Sequence, residues 1–247
     1  MNKSKTIVIA HRGASSNAPE NTIAAFQKAA EFGADGCEFD VKCTKDGEII
    51  IIHDQTVDRT TEGNGKVKNF SLEEIQKLDA GSFFSPEFAN ERIPRLKDVL
   101  EKFSDKLLLN IELTNYSTIG DGLARKVALL VKELTVEKVV FISSFHPYNL
   151  LISKRILPEV PVALLAFPGK IGWLSRSNLM RWVSPGLIHP HYRDVNQLYI
   201  EKQHRNNRKV NVWTINDEKE MIKLVNGKID GLITDDPVLG RRIVDTI

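Results

Sequence analysis

Residues 37–53 read Cys37-Glu38-Phe39-Asp40-Val41-Lys42-Cys43-Thr44-Lys45-Asp46-Gly47-Glu48-Ile49-Ile50-Ile51-Ile52-His53, two strand-like runs around a polar turn. The first run alternates apolar and polar residues, and the second is a continuous aliphatic stretch. Too few residues separate them for a helical crossover, so they must pair as an antiparallel hairpin. With the turn centred on Lys45 and Asp46, Asp40 faces Ile51 or Ile52, and Glu38 faces His53 or Asp54. The hairpin thereby returns His53 to a carboxylate pair, Glu38 and Asp40, that shares one strand face.

Outward from this hairpin, strands alternate with helices. Strand 6–11 precedes a helix from Thr22 to Phe32, with Asn21 as the expected N-cap and Ile23, Phe26, Ala29 and Ala30 on one face. Beyond it lie helix 96–103, strand 107–113, helix 121–134, strand 138–144, helix 148–156, strand 161–166 and an amphipathic segment at 171–183. Strand 187–191, helix 196–206, strand 210–215, helix 217–225, strand 230–234 and helix 237–245 complete the chain. Setting aside the hairpin's return strand leaves the eight parallel strands of a (β/α)₈ TIM barrel, an α/β fold with a hairpin excursion after strand 2. Residues of about 54–94 break the alternation, with one helical patch at 71–78, and read as a small insertion capping one end of the barrel. With no linker composition anywhere, residues 1–247 are expected to form a single domain.

The chemistry gathers where apolar strands end. His11 closes Ile7-Val8-Ile9-Ala10, and His53 closes the aliphatic run. In Leu107-Leu108-Leu109-Asn110-Ile111-Glu112-Leu113, Asn110 and Glu112 share a face, with Glu112 at the C-terminal end where barrel active sites collect. Glu38, Asp40 and Glu112 together suit a hard divalent ion, Mg²⁺ or Ca²⁺, because three inward carboxylates without a cation repel one another. Arg12 and the loop from Gly13 to Pro19, leading to a helix N-terminus, add an anion site. The expected reaction is phosphoryl-ester cleavage, one histidine taking a proton and the other protonating the leaving alkoxide. Of the other histidines, His146 is placed at the mouth. His189 and His191 alternate on one strand and read as inward structural residues or a metal pair, and His204 faces solvent.

Composition narrows the classes. With 42% hydrophobic and 27% charged residues, the chain has the balance of a folded protein with a full core. A net charge of +2, from 34 basic and 32 acidic residues, predicts no polyanion partner, and the cluster Arg205, Arg208 and Lys209 reads as a solvated helix end rather than a nucleic-acid footprint. The only cysteines, Cys37 and Cys43, are expected as free thiols of a reducing compartment. The start, Met1-Asn2-Lys3-Ser4-Lys5, has no signal-peptide core after it, and no stretch approaches the ~18 apolar residues of a membrane span, so a cytoplasmic location is expected.

His11-Arg12-Gly13 with Pro19-Glu20-Asn21-Thr22, Glu38-Phe39-Asp40-Val41, Thr44-Lys45-Asp46-Gly47 and His53-Asp54 closely resemble the glycerophosphodiester phosphodiesterase family. The likeness continues through Asp79-Ala80-Gly81-Ser82, Glu91-Arg92-Ile93-Pro94, Asn110-Ile111-Glu112, Ser143-Ser144-Phe145, Val212-Trp213-Thr214-Ile215-Asn216 and Asp230-Gly231-Leu232-Ile233-Thr234-Asp235, nearly the whole chain in the family's order. The resemblance implies a (β/α)₈ barrel with an insertion after the second histidine. It implies an acid/base pair at His11 and His53, one Mg²⁺ or Ca²⁺ at Glu38, Asp40 and Glu112, a phosphate contact at Arg12, and an aromatic at the pocket mouth at Trp213. The implied activity is metal-dependent hydrolysis of a small-molecule glycerophosphodiester to sn-glycerol 3-phosphate and an alcohol.

The chain departs from the family at Thr114, where the family usually has a lysine on the Glu112 face. Lys42, on the Glu38/Asp40 face, stands as a partial replacement. In the segment 169–183, Ile171, Leu174, Leu179 and Trp182 fit a core-facing helical stripe, while Trp173 and Met180 fall off it near Lys170, Arg176 and Arg181. Aromatics among basic residues on a βα element are suited to a lipid or membrane interface, though a membrane partner is not the favoured expectation. The alternatives are a lysophospholipid-cleaving, phospholipase D-like enzyme and a phosphate-ligand sensor that has given up catalysis.

Overall fold

Among the described residues there are nine strands; eight of them alternate with helices and close into a parallel barrel. The computed structural model describes residues 6–247; the opening segment, expected to hold no leader, lies outside the described residues. The chain runs β1 (Ile7–His11), α1 (Ile23–Glu31), β2 (Gly36–Cys43), β3 (Ile49–Ile51), α2 (Leu72–Ile75), α3 (Leu96–Phe103), β4 (Leu108–Leu113) and α4 (Leu123–Glu133). It continues through β5 (Val140–Ser144), α5 (Pro147–Ile156), β6 (Val162–Ala166), α6 (Trp173–Arg176), β7 (Leu187–Pro190), α7 (Gln197–Arg205), β8 (Lys209–Val212), α8 (Glu218–Asn226), β9 (Gly231–Thr234) and α9 (Pro237–Thr246). β1 pairs in parallel with both β9 and β2, which closes the barrel, and β3 is the excursion, antiparallel to β2.

The hairpin takes the second of the two expected registers. Val41 lies opposite Ile51 and Cys43 opposite Ile49, and the Ile52 amide donates to the Asp40 carbonyl at 2.9 Å. β3 is shorter than the expected 49–53 because the chain leaves the ladder after that bond. Its other side is taken by residues 94–95, with the Ile51 amide donating to Pro94 at 3.0 Å.

Register decides what faces inward. β1 sets His11 beside Glu38, and β2 sets Glu38 beside Asn110 and Asp40 beside Glu112. Because side chains alternate along a strand, these polar groups form the upper layers of the barrel interior. Below them Ile9, Phe141, Ala163, Leu187 and Ile233 pack into an apolar floor. Outside the strands, α1, α3 and α4 bury their apolar faces; Phe26 meets Phe39 and Phe103 at ring-centroid distances of 5.4 and 5.9 Å. Ile50 of β3 forms a satellite cluster with Ile52, Val57, Val67, Ile75, Ala80 and Ile93 from the stretch between β3 and α3. α2 there starts at a capping box in which Ser71 and Glu74 satisfy each other's backbone amides.

Two local expectations are corrected. The cap of α1 is Thr22, whose hydroxyl accepts from the Ala25 amide at 3.3 Å. Asn21 instead takes a left-handed backbone at φ 60 and sends its side chain into the barrel mouth. The 171–183 segment is no continuous helix: α6 is a single turn, Ser177 is extended, and a 3₁₀ turn follows at Asn178–Met180. The break destroys the 3.6-residue phase, so Ile171, Leu174, Leu179 and Trp182 face solvent, while Met180 and Val183 pack against the core. Cys37 and Cys43 are both free. Among the described residues, no helix is long and apolar enough to cross a membrane.

Candidate active site

All seven residues singled out from the sequence line one cleft: His11, Arg12, Glu38, Asp40, His53, Glu112 and Trp213, joined by Asn110, Phe145, Leu165, His189 and Ile233. The cleft opens at the C-terminal ends of the strands, where the β-register has stacked the polar layers.

Its floor is acidic. One oxygen from each of Glu38, Asp40 and Glu112 lies within 4.8 Å of the others. Glu38 and Asp40 are buried in this trio. Burial, then the charges of Asp40 and Glu112, push the Glu38 carboxyl well above the usual range. Glu112 is pushed up to about 8 by burial and by Asp40, even with the Tyr116 hydroxyl donating to it at 2.9 Å. Asp40 is held down despite its burial, chiefly by the Arg12 guanidinium 3.3 Å away. Asn21 adds a hydrogen bond to the same Asp40 oxygen at 3.2 Å.

The Glu38 Oε1 atom is buried and, among the described residues, has no hydrogen-bond partner. An unpaired buried carboxylate oxygen is costly, and two neighbouring carboxylates aggravate it. A hard divalent ion on this all-oxygen donor set relieves both problems, so the residues present fit Mg²⁺ or Ca²⁺.

Two imidazoles flank the trio, and each has its Nδ1 tied to a carboxylate. His11 Nδ1 lies 2.6 Å from Asp235, which also accepts from Ser15 at 3.2 Å. His53 Nδ1 lies 2.6 Å from Asp54, which is gripped by Arg59 Nε at 2.7 Å. These contacts place the proton on Nδ1 and turn Nε2 toward the cleft; His11 Nε2 stands 3.8 Å from Glu38. Asp54 follows His53 directly, so its role was open to sequence reasoning. Asp235 is brought to His11 only because β9 closes the barrel against β1.

Arg12 is held more firmly than expected of a phosphate contact alone. Its backbone is left-handed at φ 56, its amide donates to Glu38 at 3.2 Å, and its guanidinium donates to Glu20 at 2.9 Å. Arg59 doubles the grip on Glu20 at 2.7 and 2.8 Å, so Glu20 links the His53 side of the cleft to the Arg12 side. Gly13, at φ +81, is required here: a Cβ would sit 2.6 Å from that of Ala25. The N-terminus of α1, expected to share in anion binding, has its Ala24 and Ala25 amides engaged by Glu91 and Thr22. Arg12 is the part of that expected site that lines the cleft.

Lys42, expected to stand in for the family's lysine near the phosphate, is not among the residues that line the cleft. Its ammonium is buried and donates to the Thr114 hydroxyl at 2.5 Å and the Thr114 carbonyl at 3.1 Å. Of the remaining histidines, His189 joins the cleft floor as a neutral ring. Burial and the charge of Arg208 depress it to about 3, and Asn211 donates to its Nε2 at 3.2 Å. His191 lies outside the lining, its ring 5.2 Å from that of Trp213. Phe145, not His146, reaches the cleft, and His204 pairs with Asp230 at 2.8 Å away from it.

A nest of carboxylates between oriented imidazoles, at the mouth of a βα barrel, is the equipment of a barrel hydrolase. Comparison with known proteins makes the class specific: phosphoric diester hydrolases. The chain belongs to the glycerophosphoryl diester phosphodiesterase family, whose model matches residues 11–239. It is 45% identical over 234 residues to a glycerophosphodiester phosphodiesterase of Caldanaerobacter subterraneus subsp. tengcongensis, covering 94% of this chain and 95% of that one. The fold matches an Oleispira antarctica phosphodiesterase solved in complex with the product sn-glycerol-3-phosphate, with a TM-score of 0.84, 30% identity, and 98% and 97% of the two chains covered. It also matches a glycerophosphodiester phosphodiesterase from Agrobacterium tumefaciens, with a TM-score of 0.79, 29% identity, and 96% and 99% covered.

Proposed function

We propose that this chain hydrolyses glycerophosphodiesters to sn-glycerol 3-phosphate and an alcohol, with His11 and His53 as general acid and base. The observation behind this reading is the pair of imidazoles on one cleft, each with Nδ1 bonded to an aspartate at 2.6 Å. In that state Nε2 of one ring is free to take the proton of the attacking water. The other ring, protonated, donates from Nε2 to the leaving alkoxide as the P–O bond breaks. Asp54 and Asp235 hold the tautomer and stabilise whichever ring is cationic. Arg12 and Trp213, at the same mouth, position the phosphate and the glycerol moiety.

Glu38, Asp40 and Glu112 would hold one Mg²⁺ or Ca²⁺, which when bound polarises phosphate oxygens. The cleft wall continues outward as an aromatic stack, Phe145 on Phe167 at 4.0 Å between centroids, and Phe145 packs edge-on against Trp213 at 5.5 Å. That apolar margin supports a second reading, in which the alcohol carries an acyl chain and lysophospholipids are cleaved.

The test is release of glycerol 3-phosphate from glycerophosphocholine, with EDTA and after return of Mg²⁺ or Ca²⁺, alongside lysophosphatidylcholine. We expect release to require the ion, His11→Ala and His53→Ala to lose about 10²–10⁴-fold in kcat, and Glu112→Gln to remove ion dependence together with activity. Undiminished turnover in the histidine variants would sink the acid/base assignment, and full activity in EDTA would sink the metal assignment.

A further inference from the structure

The segment joining β6 to β7 exposes an apolar surface that nothing in the fold requires. Ile171 is 83% exposed, Leu179 67%, Trp173 63%, Trp182 62%, Leu174 48% and Phe167 47%. Patches of this kind are uncommon on a soluble face without a binding role, and here they hold two of the protein's 3 tryptophans.

The segment is fastened, not loose. Arg176 donates to the carbonyls of Phe167 and Gly169, both at 2.6 Å, and to Asp194 at 3.0 Å, which also accepts from the Gly169 amide at 2.9 Å. These bonds fix α6 beside Phe167, and Phe167 stacks on Phe145 of the cleft wall. The exposed patch therefore begins at the cleft mouth, at Phe167, and runs down the outer barrel wall to Arg181, which is bonded to Asn206 at the C-terminus of α7, the end of the barrel away from the cleft.

Charge selects the occupant. Residues 160–193 contain no Asp or Glu, while Lys170 and Arg181 flank the tryptophans. Among the described residues neither cation has a carboxylate partner; Arg181 donates only to Asn206, at 2.9 Å to its carbonyl. The apolar side chains rise from two short turns, so they present no continuous helix face to a partner helix. Tryptophans with a basic margin are the side chains that settle at the headgroup level of a bilayer. We infer that this surface docks the protein peripherally on an anionic lipid bilayer, with the outer wall between β6 and β7 laid against it.

The inference does not depend on the catalytic assignment, and its test reads binding alone. The full chain is sedimented with vesicles of phosphatidylcholine and with vesicles of equal parts phosphatidylcholine and phosphatidylglycerol, while tryptophan emission is recorded. We expect binding to the anionic vesicles with a blue shift, weakened by salt. Each basic residue is worth about fivefold at such a surface, so Lys170→Gln with Arg181→Gln lowers partitioning ~25-fold. Trp173→Ser with Trp182→Ser abolishes it, with circular dichroism and the melting temperature unchanged because both rings are exposed. Three results would overturn the inference: no binding by the wild type to anionic vesicles, equal binding by the folded variants, or a dimer, seen by light scattering, that the tryptophan substitutions dissolve.

Discussion

Replacing Thr114 with valine tests how the barrel holds a buried cation. Lys42 and Thr114 are 4% and 2% exposed, so water does not substitute for either partner. Valine is close in shape to threonine and opens no cavity, but it removes the hydroxyl that accepts from Lys42 at 2.5 Å and donates to the Val41 carbonyl at 3.0 Å. A hydrogen bond to a charged group contributes about 1.5–3 kcal/mol. The ammonium keeps the Thr114 carbonyl at 3.1 Å, so the loss should fall near the middle, about 2 kcal/mol. For a chain of this size that lowers the melting temperature by roughly 4–8 °C. Lys42→Met should cost less, because it also removes the desolvation of a buried ammonium, and it leaves Thr114 bonded to Val41. In the double variant the lost bond is counted once, so urea unfolding should give a coupling energy of about 2 kcal/mol. Costs that add to within about 0.5 kcal/mol would show that Lys42 is not held by Thr114. By the same geometry, Thr114→Lys forces a second ammonium against the first and should destabilise unless Lys42 is replaced with it.

Asp54 ties pH to stability. Although burial raises its pKa, the hydrogen bonds from Arg59 and His53 hold it down at about 2, below the roughly 3.9 of an unfolded aspartate. Its stabilisation is thus full above the unfolded value and lost as pH falls through the folded one. Urea melts should show Asp54→Asn less stable than wild type at neutral pH, with the gap closing below about pH 4; a gap independent of pH would refute this. Burial and the charge of Asp121 push the Cys43 thiol up to about 11. Iodoacetamide at pH 8 should therefore modify it roughly two-hundredfold more slowly than a free peptide thiol, and a peptide-like rate by mass spectrometry would show the thiol is open.

What the sequence made legible follows from periodicity. Glu38, Asp40 and Glu112 were readable because a strand's period of two puts alternate residues on one face, and the ends of apolar strands mark the barrel mouth. The hairpin register was readable to within one residue because its short turn leaves two choices; the bond from the Ile52 amide to Asp40 settles which. Asp235 beside His11 was not readable as a partner, since 224 residues separate them and only closure of β9 on β1 joins them. Tyr116 on Glu112 and Glu20 between Arg12 and Arg59 lie in irregular loops, where no period constrains direction. The α1 cap was misplaced by one residue because Asn21 and Thr22 are both capping types. The choice fell to the carboxylate of Asp40, which draws the Asn21 side chain inward.

The segment 171–183 shows how the same reasoning inverts. An apolar stripe implies burial only if the helix that phases it exists, and a helix a dozen residues long needs uninterrupted propagation. Gly172 and Ser177 bound a single turn here, and Arg176, which a helical wheel would leave in solvent, folds back onto Phe167 and Gly169. Once that arginine anchors the turn from within, the apolar residues around it have only the outside to face. The stripe that helical spacing assigns to the core is then the surface left for an apolar phase outside the protein. Its upper end, beside Phe167 and Phe145, brings that phase to the edge of the cleft. Specificity for the alcohol end of the substrate and attachment to a lipid surface would then rest on one segment, joined through one aromatic stack.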